Sequence, residues 1–304
     1  MKAFIVPWLR EADPRALAVV RLILFGYAWP GFRFGSKASF AEFEGVSWHP
    51  IGIPALLQVP LLSPAGLDIV GVLITFTTGF ALLGFGYRLT APLAAFLKLY
   101  ASWVVQSSGK VNHGGLLFTL VLFVIAFSHA ADAWAVDAFL RRRKGFPRPG
   151  PSAEYHWPVH FIALLCVTMY GAAGLTKLGV SGPEWALGDG LRLRFLSHHF
   201  THQPPTRLGV WLADYPLVCR VLASASLCLE FASPLALWNR SVYRTVLPCL
   251  ALLQLMIWLT LGVRFREMVA TFACLLPWGA LIARLDALRS TWVARERERL
   301  RAAT

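Results

Sequence analysis

Residues 158–178 read PVHFIALLCVTMYGAAGLTKL, an apolar run that carries a single formal charge near its end. A transmembrane helix needs about 20 predominantly apolar residues, so this run predicts a membrane span. Its one charge, Lys177, is costly in lipid unless the amine reaches the interface, pairs with another group or takes part in chemistry. The small residues before it, Gly171 to Gly174, allow a second helix backbone to approach closely.

The rest of the chain has the composition of a polytopic membrane protein. Of its 304 residues, 57% are hydrophobic and 15% are charged, whereas about 25% of a typical soluble domain is charged. The formal net charge of +13 could suggest nucleic-acid binding. The arginines cluster in particular loops, however, which the positive-inside rule explains better. We therefore expect membrane lipids, and no nucleic acid, as partners.

Long apolar segments recur along the sequence. They predict an all-α integral membrane protein, a bundle of about eight transmembrane helices. The predicted spans are residues 14–32, 66–86, 90–106, 115–134, 158–178, 216–238, 242–263 and 268–285.

The positions of the basic residues predict the orientation of this bundle. Basic groups lie between spans two and three, four and five, and six and seven, and after span eight. All four groups are cytoplasmic if both termini are cytoplasmic. We therefore predict a transmembrane domain over residues 1–285 and a basic cytoplasmic helix over 286–304. The long connections 33–65 and 179–215 would then provide interfacial or re-entrant segments on the extracytoplasmic side.

This topology gathers several polar side chains on the extracytoplasmic side, which makes that side the predicted location of a site. Lys177 is either a base held in a poorly solvated pocket or a lysine that reaches the headgroups. His113, at the start of span four, is biased towards its neutral form by the helix dipole. It could polarise a substrate carbonyl or simply cap the helix. Arg21 and Glu230 are intramembrane charges, interpreted as mutual or nearby partners, with a proton relay as the alternative.

No metal site is expected from the sequence. His198 and His202 have the i, i+4 spacing of some metal ligands, but acidic partners are not close to them, and interfacial histidines explain them better. The five cysteines lie inside apolar runs without CxxC spacing, as small buried hydrophobic residues do.

Six sequence elements, taken in order, resemble the vitamin K-dependent gamma-carboxylase-like family, also called horizontally transferred transmembrane (HTTM) domain proteins. Together they cover nearly the whole chain. The elements are residues 13–21, LGFGYRLT at 83–90, NHG at 112–114, the set Ser128, Asp132 and Asp137, AGLTKL at 173–178 with Trp185 and Gly188, and Glu230 with Pro234.

The resemblance implies an enzyme in which Lys177 is the catalytic base and His113 an active-site histidine. Such an enzyme oxidises a reduced vitamin K or menaquinol-like naphthoquinone with O2 to its epoxide. The strong base formed deprotonates a second substrate, a peptide or small molecule, which can then take up CO2. The resemblance also implies a lipophilic quinol as partner and the cytoplasmic membrane of a bacterium as location. The residues expected to bind substrate are Asn112, Tyr170, Trp185, His198, His199, Arg21 and Glu230.

Two other functions remain open at the level of the sequence. The carboxylase carries a large extramembrane region that binds its peptide substrate, whereas this sequence continues after its last span only as an arginine-rich tail. A non-enzymatic HTTM-family protein acting in maturation, binding or immunity is therefore the alternative. Transport of a lipophilic molecule is less favoured, because the internal repeats typical of transporters are not evident.

Overall fold

The computed structural model describes residues 10–29, 48–107, 113–201, 206–263 and 265–302. Within these ranges the chain is helical and contains no strand, apart from an isolated antiparallel bridge between Ala12 and Ser152. The α-helices are α1 (Pro14–Ala28), α2 (Ile53–Leu56), α3 (Pro64–Leu83), α4 (Tyr87–Gln106), α5 (His113–Ala126), α6 (Val136–Arg143), α7 (Trp157–Ser181), α8 (Glu184–Leu187), α9 (Gly190–Thr201), α10 (Arg207–Ala213), α11 (Pro216–Ala232), α12 (Arg240–Leu261), α13 (Arg266–Cys274) and α14 (Trp278–Ala302).

Four of the described helical segments are long and apolar enough to cross a membrane. They are α3, α7 with the turn before it, α11 with the 3-10 turn Ser233–Leu237, and most of α12. Counting the interrupted pair α13 and α14 as one span gives five. The prediction of an all-α membrane protein is therefore confirmed in outline. The count of eight, and the side on which each loop lies, stay predictions.

The other predicted spans are shorter, more polar or interrupted. Helix α1 has 15 residues and α5 has 14, fewer than the roughly 20 that a span needs. Helix α4 has 20 residues but includes two cations, Arg88 and Lys98. The predicted eighth span is divided where Pro277 precedes α14, because proline lacks the N–H that would continue a helix. Helix α14 includes most of the predicted basic tail.

The chain divides into two compact units. The first contains the described residues of 1–111, 122–160 and 273–304, and the second those of 112–121 and 161–272. In the first unit, α1 begins at Asp13, whose side chain accepts a hydrogen bond from the Arg15 amide, with Pro14 in the first helical position. Arg15 also forms an ion pair with Asp286 of α14.

A buried arginine organises the first unit. The Arg21 side chain is fully buried and donates to the backbone carbonyls of Ala130 (3.3 Å) and Trp134 (2.6 Å). These carbonyls lie in the turns that follow α5, where no helix hydrogen bond satisfies them. Arg21 therefore neutralises the polarity of a non-helical segment, which is a structural role for a residue predicted to bind substrate.

The turn between α3 and α4 is held by a carboxylate from α6. Asp137 accepts hydrogen bonds from the backbone amides of Gly86 (2.9 Å) and Tyr87 (2.8 Å). Its own amide donates to the Gly84 carbonyl (3.0 Å). Gly84 and Gly86 both have a positive φ, which glycine adopts without steric penalty. The element at 83–90 and Asp137, distant in sequence, thus form one structural junction.

The connection between α7 and α11 in the second unit is itself helical. Residues 191–196 of this connection lie in α9, where Phe195 is buried with Leu212 and Cys219. Arg192 of the same helix donates to the Ala213 carbonyl (2.8 Å). This packing fixes the connection against α10 and α11, within the same unit as Lys177.

Candidate functional site

Lys177 forms an ion pair with Glu230 in the second unit. The two residues come from α7 and α11, and the Lys177 amine donates to the Oε1 atom of Glu230. The Glu230 side chain is only 4% exposed, and that of Lys177 is 27% exposed. Lys177 is therefore a partly exposed amine paired with a buried carboxylate, and both sequence interpretations of its role stay predictions.

The small residues of α7 make this pairing sterically feasible. A β-carbon at position 174, which is a glycine, would lie 3.1 Å from the Glu230 β-carbon, and one at Gly171 would lie 3.2 Å from Pro234. The Ser233 hydroxyl donates to the Val167 carbonyl (3.0 Å). Residues 167, 171 and 174 share one face of a helix. The AGLTKL element and the Glu230–Pro234 element, separate in sequence, therefore meet along one helix contact.

Trp185 lies against two cations at this site. The Lys177 amine is 5.2 Å and the Arg194 guanidinium carbon 5.0 Å from the centre of a Trp185 ring. Both distances fall within the about 6 Å of a cation–π contact. A turn at Gly182, where φ is +60°, reverses the chain after α7 and brings Trp185 back to Lys177. The indole nitrogen of Trp185 is buried without a hydrogen-bond partner among the described residues.

Two buried acceptor atoms of this unit also lack a partner among the described residues, Oε2 of Glu230 and Oε1 of Gln254. The Gln254 amide nitrogen donates to the Tyr170 hydroxyl (2.5 Å), which joins α12 to α7. A buried acceptor without a donor costs about 1–3 kcal/mol. Two unpartnered acceptors therefore lie in the same unit as the unpartnered Trp185 indole donor. Sequence reasoning missed Gln254, although a glutamine inside an apolar span is itself a signal.

The structure brings together four of the predicted site residues: Lys177, Glu230, Trp185 and Tyr170 all lie in the second unit. Helix α5 begins at His113, and its residues 113–121 belong to this unit too.

Other predicted residues lie elsewhere or are not described. The His113 side chain, Asn112 and the side chains of His198 and His199 lie outside the described part of the chain, although the backbone of His198 and His199 is in α9. Arg21 and Glu230 were predicted to be mutual or nearby partners. They are not mutual partners, because Arg21 binds backbone carbonyls and Glu230 binds Lys177. Each of the two charged groups thus has a hydrogen-bond partner in its own unit.

The Lys177–Glu230 contact joins a basic and an acidic side chain by a direct hydrogen bond. Burial costs such a charged pair more hydration free energy than it would cost two neutral groups. The predicted absence of a metal stays a prediction.

Gly174→Ala is expected to disturb the pair, whereas Gly179→Ala is not. The added methyl group at 174 meets the Glu230 β-carbon at 3.1 Å and Oε2 at 3.6 Å, whereas nothing lies within 4 Å at Gly179. Overpacking of this kind costs about 1–3 kcal/mol, and alanine otherwise stabilises a helix relative to glycine by about 1 kcal/mol. Thermal denaturation in detergent should show a lower Tm for the first variant only. Equal Tm values for the two variants would contradict the close contact.

Comparison with known proteins identifies one family. A family model described as the HTTM domain matches residues 9–260. No curated protein and no solved structure matches the chain. The matched range includes α1 to α11 and nearly all of α12, and therefore every residue of the site described above.

Proposed function

Because the chain belongs to the HTTM domain family, we propose that it is a membrane enzyme of the vitamin K-dependent gamma-carboxylase-like type. It would oxidise a reduced naphthoquinone with O2 to the epoxide and use the strong base formed to deprotonate a second substrate. The observation that carries this proposal is the ion pair of Lys177 with the buried Glu230. A titratable pair of this kind is rare inside an apolar helix bundle and is a functional-site candidate.

Lys177 is the proposed base and Glu230 the group that sets its protonation. With the proton on Glu230, the amine is neutral and can take a proton from a substrate hydroxyl. When the amine is protonated, the Glu230 carboxylate stabilises its positive charge by direct contact, without a bridging water. Glu230 would therefore take part in proton transfer, in addition to the substrate-binding role expected from the sequence.

The unpartnered acceptors support a reduced quinone as the substrate. A reduced naphthoquinone carries two hydroxyl donors on an apolar ring system, and Glu230 Oε2 and Gln254 Oε1 are acceptors without donors among the described residues. The surrounding helices are apolar, which suits a substrate that arrives through lipid. Trp185 and Tyr170 would contact the ring, and His113 is the proposed second active-site residue.

The overall reaction balances without a metal. The quinol and O2 give the quinone epoxide and water, so that one oxygen atom enters the epoxide and the other takes up two protons. When a second substrate loses a proton to the base formed, that proton ends in the water in place of one quinol proton, which is released, and the resulting carbanion can add CO2. So strong a base requires that bulk water be excluded. We place this chemistry in a bacterial cytoplasmic membrane, in a bundle of eight spans with both termini cytoplasmic.

The test is aerobic turnover of the purified protein with reduced menaquinone or vitamin K, with the epoxide measured by chromatography. Lys177→Arg is the decisive variant, because arginine keeps the charge that pairs with Glu230 but cannot be deprotonated in proteins. We expect epoxide formation to fall by about 10²–10⁴-fold, the contribution of a general base, in a protein that remains folded. His113→Ala should also lower turnover.

The outcomes separate the proposal from its alternative. Wild-type turnover that persists in Lys177→Arg would show that Lys177 is not the base. Absence of epoxide from folded wild-type protein supplied with quinol, O2, CO2 and glutamate-containing peptides would favour the non-enzymatic HTTM protein, acting in maturation, binding or immunity.

A further inference from the structure

An apolar groove opens on the surface of the first unit, and none of the residues proposed for catalysis is part of its wall. Its volume is about 570 Å³, within the range of about 300–1,000 Å³ typical of small-molecule sites. Its wall includes Leu22, Leu83, Trp134, Phe139 and Arg142. Leu83, Trp134 and Phe139 are each about half exposed. We call it the Trp134 groove.

One end of the groove carries positive charge. Helix α6 ends in Arg141, Arg142 and Arg143, followed by Lys144. Arg141 is paired with Asp132 (2.7 Å). Among the described residues, no carboxylate lies within ion-pair distance of the other three cations. Arg142 directs its Nε to the Ala138 carbonyl (3.2 Å), which leaves the end of its guanidinium available at the rim.

The aromatic wall of the groove is held in an unfavourable backbone conformation. Trp134 has φ of +48°, which is a genuine outlier for a bulky residue. Its carbonyl accepts the hydrogen bond from the buried Arg21 (2.6 Å), so the arginine holds the residue in place. Strain of this kind persists where the surrounding structure imposes it, and it clusters at binding sites.

We propose that the Trp134 groove binds an anionic glycerophospholipid, with an acyl chain along its apolar wall and the phosphate at Arg142, Arg143 and Lys144. Basic pockets beside membrane helices are typical sites for anionic headgroups, and the predicted orientation places this one at the cytoplasmic leaflet, where anionic lipids attract basic segments. A free phosphate would not use the apolar wall. A zwitterionic lipid would gain less from three cations that lack an acidic neighbour among the described residues.

The proposal is tested by native mass spectrometry of delipidated protein in detergent. The protein is titrated with phosphatidylglycerol, with phosphatidylcholine of the same acyl chains, and with glycerol 3-phosphate. We expect retention of phosphatidylglycerol only. Arg142→Glu should weaken it about tenfold or more, because each cation near the surface contributes about fivefold to binding an anionic lipid. Arg284→Glu, which changes an exposed arginine of α14 in the same unit, is the matched control.

A second variant tests the apolar wall independently of charge. Trp134→Gly removes the ring and suits the positive φ, so the protein should still fold while it loses phosphatidylglycerol. Equal retention of the two lipids, binding of glycerol 3-phosphate alone, or equal losses in Arg142→Glu and Arg284→Glu would each overturn the proposal. None of these outcomes depends on the oxygenase activity.

Discussion

Replacement of Lys177 alone by methionine is expected to destabilise the folded protein by about 3–5 kcal/mol, the cost of leaving a buried charge without its partner. Glu230 would remain in the bundle with its side chain 4% exposed and without the amine that it binds. The double variant Lys177→Met/Glu230→Met removes both charges and keeps the apolar volume. Because the double change removes the buried carboxylate, we expect it to recover most of this loss.

The measurement is a double-mutant cycle on reversible unfolding in mixed micelles. The coupling free energy between the two positions should be well above the roughly 0.5 kcal/mol within which independent sites add. Additive effects would show that Lys177 and Glu230 do not interact in the folded protein. The cycle reports on the pair alone, so its result stands whatever the enzyme assay gives.

Gly84→Ala is expected to destabilise the first unit by about 2–5 kcal/mol, the sum of a left-handed backbone penalty and of overpacking. Gly84 has φ of +64°, and a β-carbon there would lie 2.5 Å from both the Ala135 β-carbon and an Arg21 guanidinium nitrogen. Arg21 cannot move aside easily, because it is fully buried and bound to two carbonyls.

Two other glycines provide matched controls for this change. Gly86 has φ of +56° with its nearest neighbour 3.8 Å away, and Gly145 has φ of +85° with nothing within 4 Å. Alanine at either position should therefore show only the backbone penalty of about 1–2 kcal/mol. Thermal denaturation of the three variants separates the two effects. A Gly84→Ala protein as stable as Gly86→Ala would mean that Arg21 does not occupy the position described.

The sequence predicted the class of fold and the position of Lys177 near the end of a long apolar helix, because both depend on local properties. An apolar run of sufficient length and a charge inside it can be recognised without knowledge of any partner. The helix α7 and its final lysine follow directly from residues 158–178.

The partners of the charges could not be predicted in this way. Arg21 and Glu230 seemed complementary because both are intramembrane charges of opposite sign. Arg21 instead donates to backbone carbonyls in the turns after α5, which are not used in helix hydrogen bonds. The sequence did not indicate these turns, because residues 115–134 were predicted as one apolar span. Glu230 binds a lysine that is 53 residues away in the chain. Two residues so far apart in the chain meet only because their helices pack together, and the spacing of residues in the sequence does not predict which helices pack.

The distance in sequence between Lys177 and Glu230 has a consequence for how the protein is made. At about 5–20 residues per second, the 53 residues between them take about 3–10 s to synthesise. During that interval the newly inserted α7 carries a lysine with no acidic partner, near one end where the side chain can still reach water. The ion pair can therefore form only after α11 has been synthesised and has packed against α7.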